Sequence, residues 1–179
     1  MNIFRRSLVL GLVAGLGVAL PAHAQLSRDG GRTQISADRL DVAERESKAI
    51  YFGAVDAIQG DARLRSDKLT INFAGTGDSP DGGGFGAIEN MLAEGNVYYI
   101  TPDLKARGDK GTYDDETDVI VLTGNVVISR GSDIAEGECL RLKVETGEST
   151  LGCTGKGENG KPKGRVRTIL TPTNNGNDE

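Results

Sequence analysis

Apolar and polar residues alternate one by one over much of the chain, as in the segment Asp67-Lys68-Leu69-Thr70-Ile71-Asn72-Phe73. A period of two places one set of side chains on each face of a β-strand. The segments around Val97 and Leu122 alternate in the same way, and no segment keeps a 3.6-residue apolar period long enough for a helix. Turn-forming residues at 114–117 and 145–147 separate alternating segments. The pattern therefore predicts an all-β fold.

A short motif recurs along the chain and predicts a repeat. Gly53, Gly95 and Gly124 each stand two residues before a valine, and a small residue followed by an acid begins eleven residues after that valine. The acids of the series, spaced 29, 42 and 29 residues apart, are Asp38, Asp67, Asp109 and Glu138. The longer interval contains a 13-residue turn-forming stretch at 74–86, which accounts for the difference.

The chain is thus predicted to contain three full units of 29 residues and a partial fourth, in which Cys153 stands where glycine is expected. Similar strands arriving in sequence predict an elongated stack with open ends. Because each strand has one apolar face, two sheets must face each other or one sheet must curl.

The N-terminus has the pattern of a secretory leader. Arg5 and Arg6 precede an uncharged apolar run over 8–20, and Ala22-His23-Ala24 offers a small-x-small cleavage site. A membrane-spanning helix needs about 20 apolar residues, so this run is too short. We expect a cleaved signal peptide over residues 1–24, a single soluble domain over 25–172 and a disordered polar tail over 173–179.

Charge and histidine content exclude several classes of function. Without the leader, 19 basic residues stand against 26 acidic ones, a net charge near −7, which disfavours nucleic acid or an anionic membrane surface as the main partner. The single histidine, His23, belongs to the leader, so histidine triads, histidine-ligated zinc and histidine bases are excluded from the mature chain. The acidic run at 114–118 lacks calcium-loop spacing, and the glycines at 82–86 lack a phosphate-binding Lys-Ser/Thr. We expect no catalytic residues, metal or cofactor.

The two cysteines favour a structural disulfide. If Glu145-Thr146-Gly147 closes a hairpin, Cys139 faces Cys153 across adjacent strands, and a secreted protein permits the bond. Two separately buried thiols are the alternative.

A basic segment near the C-terminus has two possible interpretations. Five cations surround one acid, Glu158, in an otherwise acidic chain. They could bind phosphates or an acidic partner, or they could form a charged edge strand that discourages aggregation, and we favour the second slightly. The cations are Lys156, Lys161, Lys163, Arg165 and Arg167.

Three segments carry a family resemblance. They are Gly108-Asp109-Lys110-Gly111-Thr112-Tyr113, the run VIVLTGNV at 119–126 and GRVRTILTP at 164–172. Over residues 33–172 the chain resembles the OstA/LptA family. The resemblance implies a twisted, open-ended β-jellyroll in the Gram-negative periplasm that carries lipopolysaccharide. It also implies a bridge from an inner-membrane ABC-transporter complex to an outer-membrane translocon, both with related jellyrolls, with subunits joined head to tail through edge strands.

The candidate site is the apolar interior, and we hypothesise that its side chains contact acyl chains passively. The resemblance places Ile35, Ile100 and Tyr113 where the family's interior meets lipid. The alternation adds further positions: Leu40, Leu69, Ile71, Phe73, Val97, Tyr99, Ile120, Leu122, Val126, Ile128 and Leu142. The rival hypothesis is a periplasmic scaffold or interaction protein for envelope assembly, whose interior its own side chains fill. An enzyme is a distant third.

Overall fold

The computed structural model describes residues 26–27, 31–74, 86–153 and 164–171. These residues form ten strands of one antiparallel sheet, together with a single 3-10 turn at Glu44–Glu46 and no α-helix. The strands are β1 (Thr33–Ser36), β2 (Arg39–Ala43), β3 (Lys48–Gln59), β4 (Ala62–Phe73), β5 (Ile88–Ile100), β6 (Lys105–Asp114), β7 (Val119–Arg130), β8 (Asp133–Lys143), β9 (Ser149–Leu151) and β10 (Arg167–Ile169). The all-β prediction is confirmed.

The sheet is a meander that stays open at both ends. Strands β3 to β8 each pair with the next strand in sequence. At one edge, β1 and β2 pair with the two ends of β3, and at the other edge β9 and β10 pair with the two ends of β8. Because none of the described strands joins the two edges, the stack is open-ended, as the repeat predicts.

Each long strand turns a corner at the repeated motif. The pairing register shifts at Gly53, Gly95 and Gly124, whose φ angles are 75°, 74° and 77°. The residue after each glycine also has a positive φ, as at Asn96 (45°) and Asn125 (47°). Two consecutive residues with left-handed backbone angles bend the strand sharply, because these angles depart from the extended conformation of a strand.

The corners divide the sheet into two halves. The front half-sheet contains residues 48–52, 68–73, 88–94, 110–114, 119–123 and 139–143, flanked by β2 and β9. The rear half-sheet contains residues 55–59, 62–66, 97–100, 105–108, 126–130 and 133–137, flanked by β1 and β10. Buried side chains of both halves belong to one apolar cluster, so the sheet folds over on itself and the halves face each other.

The repeated acid explains why the corner needs glycine. A Cβ atom on Gly95 would lie 2.4 Å from Asp67 Oδ2, and one on Gly124 would lie 2.4 Å from Asp109 Oδ2. The side-chain amide of the residue after each glycine then donates to the same carboxylate, at 2.8 Å in both cases. The glycine and the acid therefore form one contact at each corner: the glycine leaves free the space that the carboxylate occupies.

The fourth unit makes this contact with a different glycine. A Cβ atom on Gly164 would lie 2.4 Å from Glu138 Cγ, and Gly164 has a φ of 87°. Cys153, which stands at the repeat position, forms a disulfide with Cys139, and the two Cα atoms are 5.3 Å apart. The last corner thus combines a disulfide with a glycine supplied from further along the chain.

The predicted hairpin register is wrong by one residue. Leu140 pairs with Leu151 and Leu142 with Ser149, a register that places Gly152 opposite Cys139. The Gly152 amide donates to the Cys139 carbonyl at 2.7 Å, and its φ of 88° bends the chain so that Cys153 reaches Cys139 from one position further on.

Some predictions concern residues outside the described ranges. They include the leader at 1–24, the tail at 173–179 and the cations Lys156, Lys161 and Lys163. Of the 13-residue stretch, the structure describes only the base: the Ala74 amide donates to the Ala87 carbonyl at 2.8 Å. This hydrogen bond joins the end of β4 to the start of β5.

We predict that Gly124→Ala destabilises the protein by about 2–5 kcal/mol, because a left-handed alanine is strained and its Cβ would collide with Asp109. Gly131→Ala is the matched control, since Gly131 also has a positive φ but no atom lies within 4 Å of the added Cβ. The control should lose about 1–2 kcal/mol. Urea unfolding measures both, and equal losses would contradict the corner contact.

Candidate functional site

The half-sheets enclose an apolar interior that runs the length of the stack. Its front wall includes the fully buried side chains of Leu69 and Leu122, and its rear wall includes those of Val97 and Val126. Each lies between strand neighbours that are less buried, such as Lys68 and Thr70 beside Leu69, so burial follows directly from the period of two. The interior is the one apolar cluster that the described residues form.

Cross-strand pairing arranges the front wall in continuous rows. One row pairs residue to residue from β2 to β9 and consists of Leu40, Tyr51, Leu69, Ala93, Gly111, Leu122, Leu140 and Leu151. A second row consists of Val42, Ala49, Ile71, Met91, Tyr113, Ile120, Leu142 and Ser149. With neighbouring strands about 4.8 Å apart, each row spans about 34 Å from one open edge to the other.

Most predicted interior residues lie where the alternation places them. The buried ones are Leu69, Ile71, Phe73, Val97, Tyr99, Tyr113, Ile120, Leu122, Val126 and Leu142. Ile35 and Ile128 are partly buried and pack against the same cluster. Leu40 begins the first row but is 45% exposed, because it lies on the edge strand β2.

Ile100 does not lie in the interior, so the position carried over from the family resemblance is wrong. It pairs with Arg63 and Lys105 in an outward-facing row. Its neighbour Tyr99 is buried in the interior, and adjacent residues of one strand point to opposite faces.

Both open edges expose apolar side chains. Leu40 and Val42 lie exposed at the β2 edge, and Ile169 and Leu170 lie exposed at the β10 edge. Strand β10 also carries Arg167, whose guanidinium is 4.0 Å from the Glu136 carboxylate. Of the two described cations of the basic segment, Arg167 therefore lies in an edge strand, and Arg165 lies two residues before that strand.

Sequence reasoning missed a buried N-terminal strap, which consists of Leu26 and Ser27. Leu26 is 2% exposed, and both of its backbone groups are bonded to interior side chains. Its amide donates to Gln59 Oε1, and its carbonyl accepts from the Tyr99 hydroxyl at 2.8 Å. The available sequence clue is Gln59, a polar residue that continues the interior alternation of Val55 and Ala57.

The strap lies between the half-sheets and fills space there. Leu26 lines a cavity together with Leu64 of the rear half-sheet and Met91, Tyr113 and Leu122 of the front half-sheet. This cavity measures only about 10 Å³, which is at most about one water molecule. Around Leu26 the interior is therefore filled by the protein's own side chains.

Charged groups lie on the outer surface. Arg63 donates two hydrogen bonds to the Asp56 carboxylate, and these hold the pKa of Asp56 below its usual range. In the interior row, partial burial raises the pKa of the Tyr51 hydroxyl above its ordinary value because the phenolate is poorly solvated there.

The described residues hold no cluster of three or more histidine, cysteine, aspartate or glutamate side chains that could bind a metal ion. They also include no helix long and apolar enough to cross a membrane.

Comparisons with known proteins agree with this architecture. A family model described as "LptA/(LptD N-terminal domain) LPS transport protein" matches residues 34–148. An uncharacterized protein of Rhizobium meliloti (strain 1021) is 32% identical over 184 aligned positions, which cover 95% of this chain and 93% of that protein.

Among solved structures, the chain is similar to LptH of Pseudomonas aeruginosa, described as the LptA homologous periplasmic component of the lipopolysaccharide transport device. The TM-score is 0.65 at 20% identity, and the match covers 83% of this chain and 100% of that one. At this identity the likeness shows the fold.

We predict that Tyr51→Phe is more stable than the wild type above about pH 10 and similar to it at neutral pH. A raised pKa in the folded state means that the unfolded chain ionises first, so the wild type loses stability as the pH rises through 10. Phenylalanine removes that loss. Urea midpoints between neutral and strongly alkaline pH measure the difference, and parallel declines would contradict the burial effect.

Proposed function

The chain belongs to the LptA/LptD N-terminal domain family of LPS transport proteins, and from this premise we propose that it holds the acyl chains of lipopolysaccharide between its half-sheets. In this proposal it carries the lipid across the periplasm, from an inner-membrane transporter complex to an outer-membrane translocon. The protein's own part is binding and shielding, without catalysis.

The observation that best supports the proposal is the pair of interior rows that run from edge to edge. Moving a ~12-carbon acyl chain into water costs on the order of 10 kcal/mol, at about 0.8 kcal/mol per methylene. A carrier must therefore offer apolar contact at every position along the path. Most positions of the rows offer such contact, as Leu69, Leu122 and Leu140 do, so we expect no single position to hold the lipid much more tightly than the others.

The open edges support the second part of the proposal, in which copies join head to tail. In the part of the chain that the structure describes, β2 and β10 each pair with a strand on one side only. Exposed apolar side chains lie at these edges, and such an edge is a template for pairing with another strand. Joining the edge strands β9 and β10 of one copy to β2 and β1 of the next would continue both half-sheets, and pairing β9 with β2 would continue the interior rows. The same edges could pair with related jellyrolls of the membrane partners.

One observation favours the rival scaffold function. The cavity beside Leu26 holds at most about one water molecule, so around Leu26 the interior is filled, as a scaffold's interior would be. The two functions differ in whether lipid binds, which a charge placed at the mouth of the interior tests directly.

We predict that Leu40→Asp weakens binding of lipid A by roughly tenfold or more, because an acyl chain that leaves the interior at this edge would have to desolvate the carboxylate. Leu40 is 45% exposed, so the fold tolerates the change. Native mass spectrometry of the purified protein with added lipid A measures occupancy.

Ile58→Asp is the matched control for this variant. Ile58 is similarly exposed, at 40%, but it lies on the outer face opposite Arg63. We expect the control to bind like the wild type. Equal binding by the wild type and both variants would contradict the proposal that lipid binds in the interior. Absence of binding by every form would favour the scaffold function.

We also predict that Ile169→Lys reduces self-association by about tenfold or more, because a charge on the exposed face of β10 opposes edge-to-edge pairing. Ile58→Lys controls for the added charge, since Ile58 lies in a central strand. Sedimentation equilibrium over a range of concentrations measures association. Unchanged association of Ile169→Lys would show that β10 is not the joining edge.

A further inference from the structure

The N-terminal strap occupies the space that the proposed function assigns to lipid. Leu26 is 2% exposed and Ser27 is 1% exposed, although neither residue belongs to a strand. Leu26 lies among apolar side chains of both half-sheets, including Leu64, Met91 and Leu122. An apolar side chain of the protein thus lies where an acyl chain would have to pass.

Side chains of the rear half-sheet bind the backbone of the strap. Gln59 Oε1 accepts from the Leu26 amide and, at 3.3 Å, from the Ser27 amide, while Gln59 Nε2 donates to the Gly31 carbonyl at 2.9 Å. The Tyr99 hydroxyl donates to the Leu26 carbonyl at 2.8 Å. These contacts use side chains rather than a strand ladder, so the strap can leave without breaking the pairing of the sheet.

A second contact fixes the strap at the edge of the rear half-sheet. The Ser27 hydroxyl donates to Asp61 Oδ1 at 2.7 Å, and Asp61 lies in the turn between β3 and β4. Beside Ser27 is a cavity of about 70 Å³. Its lining includes Leu104 and Arg130 near turns of the rear half-sheet and Val144 and Gly147 near the turn that ends the front half-sheet. Ser27 therefore lies where the turn ends of the two half-sheets approach each other.

We propose that the N-terminal strap is an internal competitor of the lipid: an acyl chain enters the interior only when Leu26 withdraws, and the strap returns when the lipid leaves. The inference rests on the proposed function. It also accounts for a filled interior in a lipid carrier, because the empty protein keeps its apolar walls covered. Hydrogen bonds with Gln59 and Tyr99 fix the position of the strap while it occupies the interior.

A covalent lock on the strap tests the proposal. Ser27→Cys combined with Asp61→Cys places two thiols where the native side chains meet, so oxidation should bridge them. We expect the bridged protein to bind lipid A at least about tenfold more weakly than the wild type, with binding restored by dithiothreitol. Peptide mapping verifies the new bridge, and wild type with and without dithiothreitol controls for the native Cys139–Cys153 disulfide.

A weakened strap should have the opposite effect. Leu26→Ala removes most of the competing side chain, so we expect lipid A to bind about three- to tenfold more tightly. Val119→Ala is the control: Val119 is also buried, at 8% exposed, but it lies outside the interior cluster. The control should lose stability without any gain in affinity.

The outcomes separate the strap from the carrier function. Weaker binding by the locked form together with tighter binding by Leu26→Ala supports the competition. Equal lipid binding by locked, unlocked and Leu26→Ala proteins overturns the strap proposal and leaves the carrier function standing. Absence of lipid binding from every form overturns both.

Discussion

The fold depends on one contact, the carboxylate that lies against a glycine at each corner. At Gly124 the carboxylate of Asp109 occupies the space of a side chain, and Asn125 donates to the same carboxylate. The contact fixes where each strand bends, and all long strands bend at the same level. Without that alignment the two half-sheets would not face each other, and the alternating apolar faces would have no common interior.

The interior then follows from strand alternation, and this part of the structure could be predicted from the sequence. The buried positions Leu69, Ile71 and Phe73 follow the period of two, and the repeated glycine and acid place the corners. Two predictions failed, each for a different reason. The left-handed Gly152 shifts the register of the last hairpin by one residue. The resemblance places Ile100 in the interior, but its neighbour Tyr99 points there, so the side chain of Ile100 points to the outer face.

The N-terminal strap could not be predicted because its contacts join residues far apart in sequence through single hydrogen bonds. Leu26 and Tyr99 are separated by 73 residues, and neither the spacing nor the composition of the intervening chain indicates that they meet. A buried glutamine is also an uncommon interior residue, and polar side chains in the core require partners. Gln59 has such partners in the strap's backbone, which only the three-dimensional structure reveals.

The meander topology has a consequence for how such a protein can change in size. Each 29-residue unit contributes two neighbouring strands, and two strands extend a sheet by about 10 Å. Since each of the strands β3 to β8 pairs with the next strand in sequence, gene duplication of one unit would insert one such increment without disturbing the others. The length of the stack is therefore quantised, and evolution can adjust its reach by whole units while the cross-section stays constant.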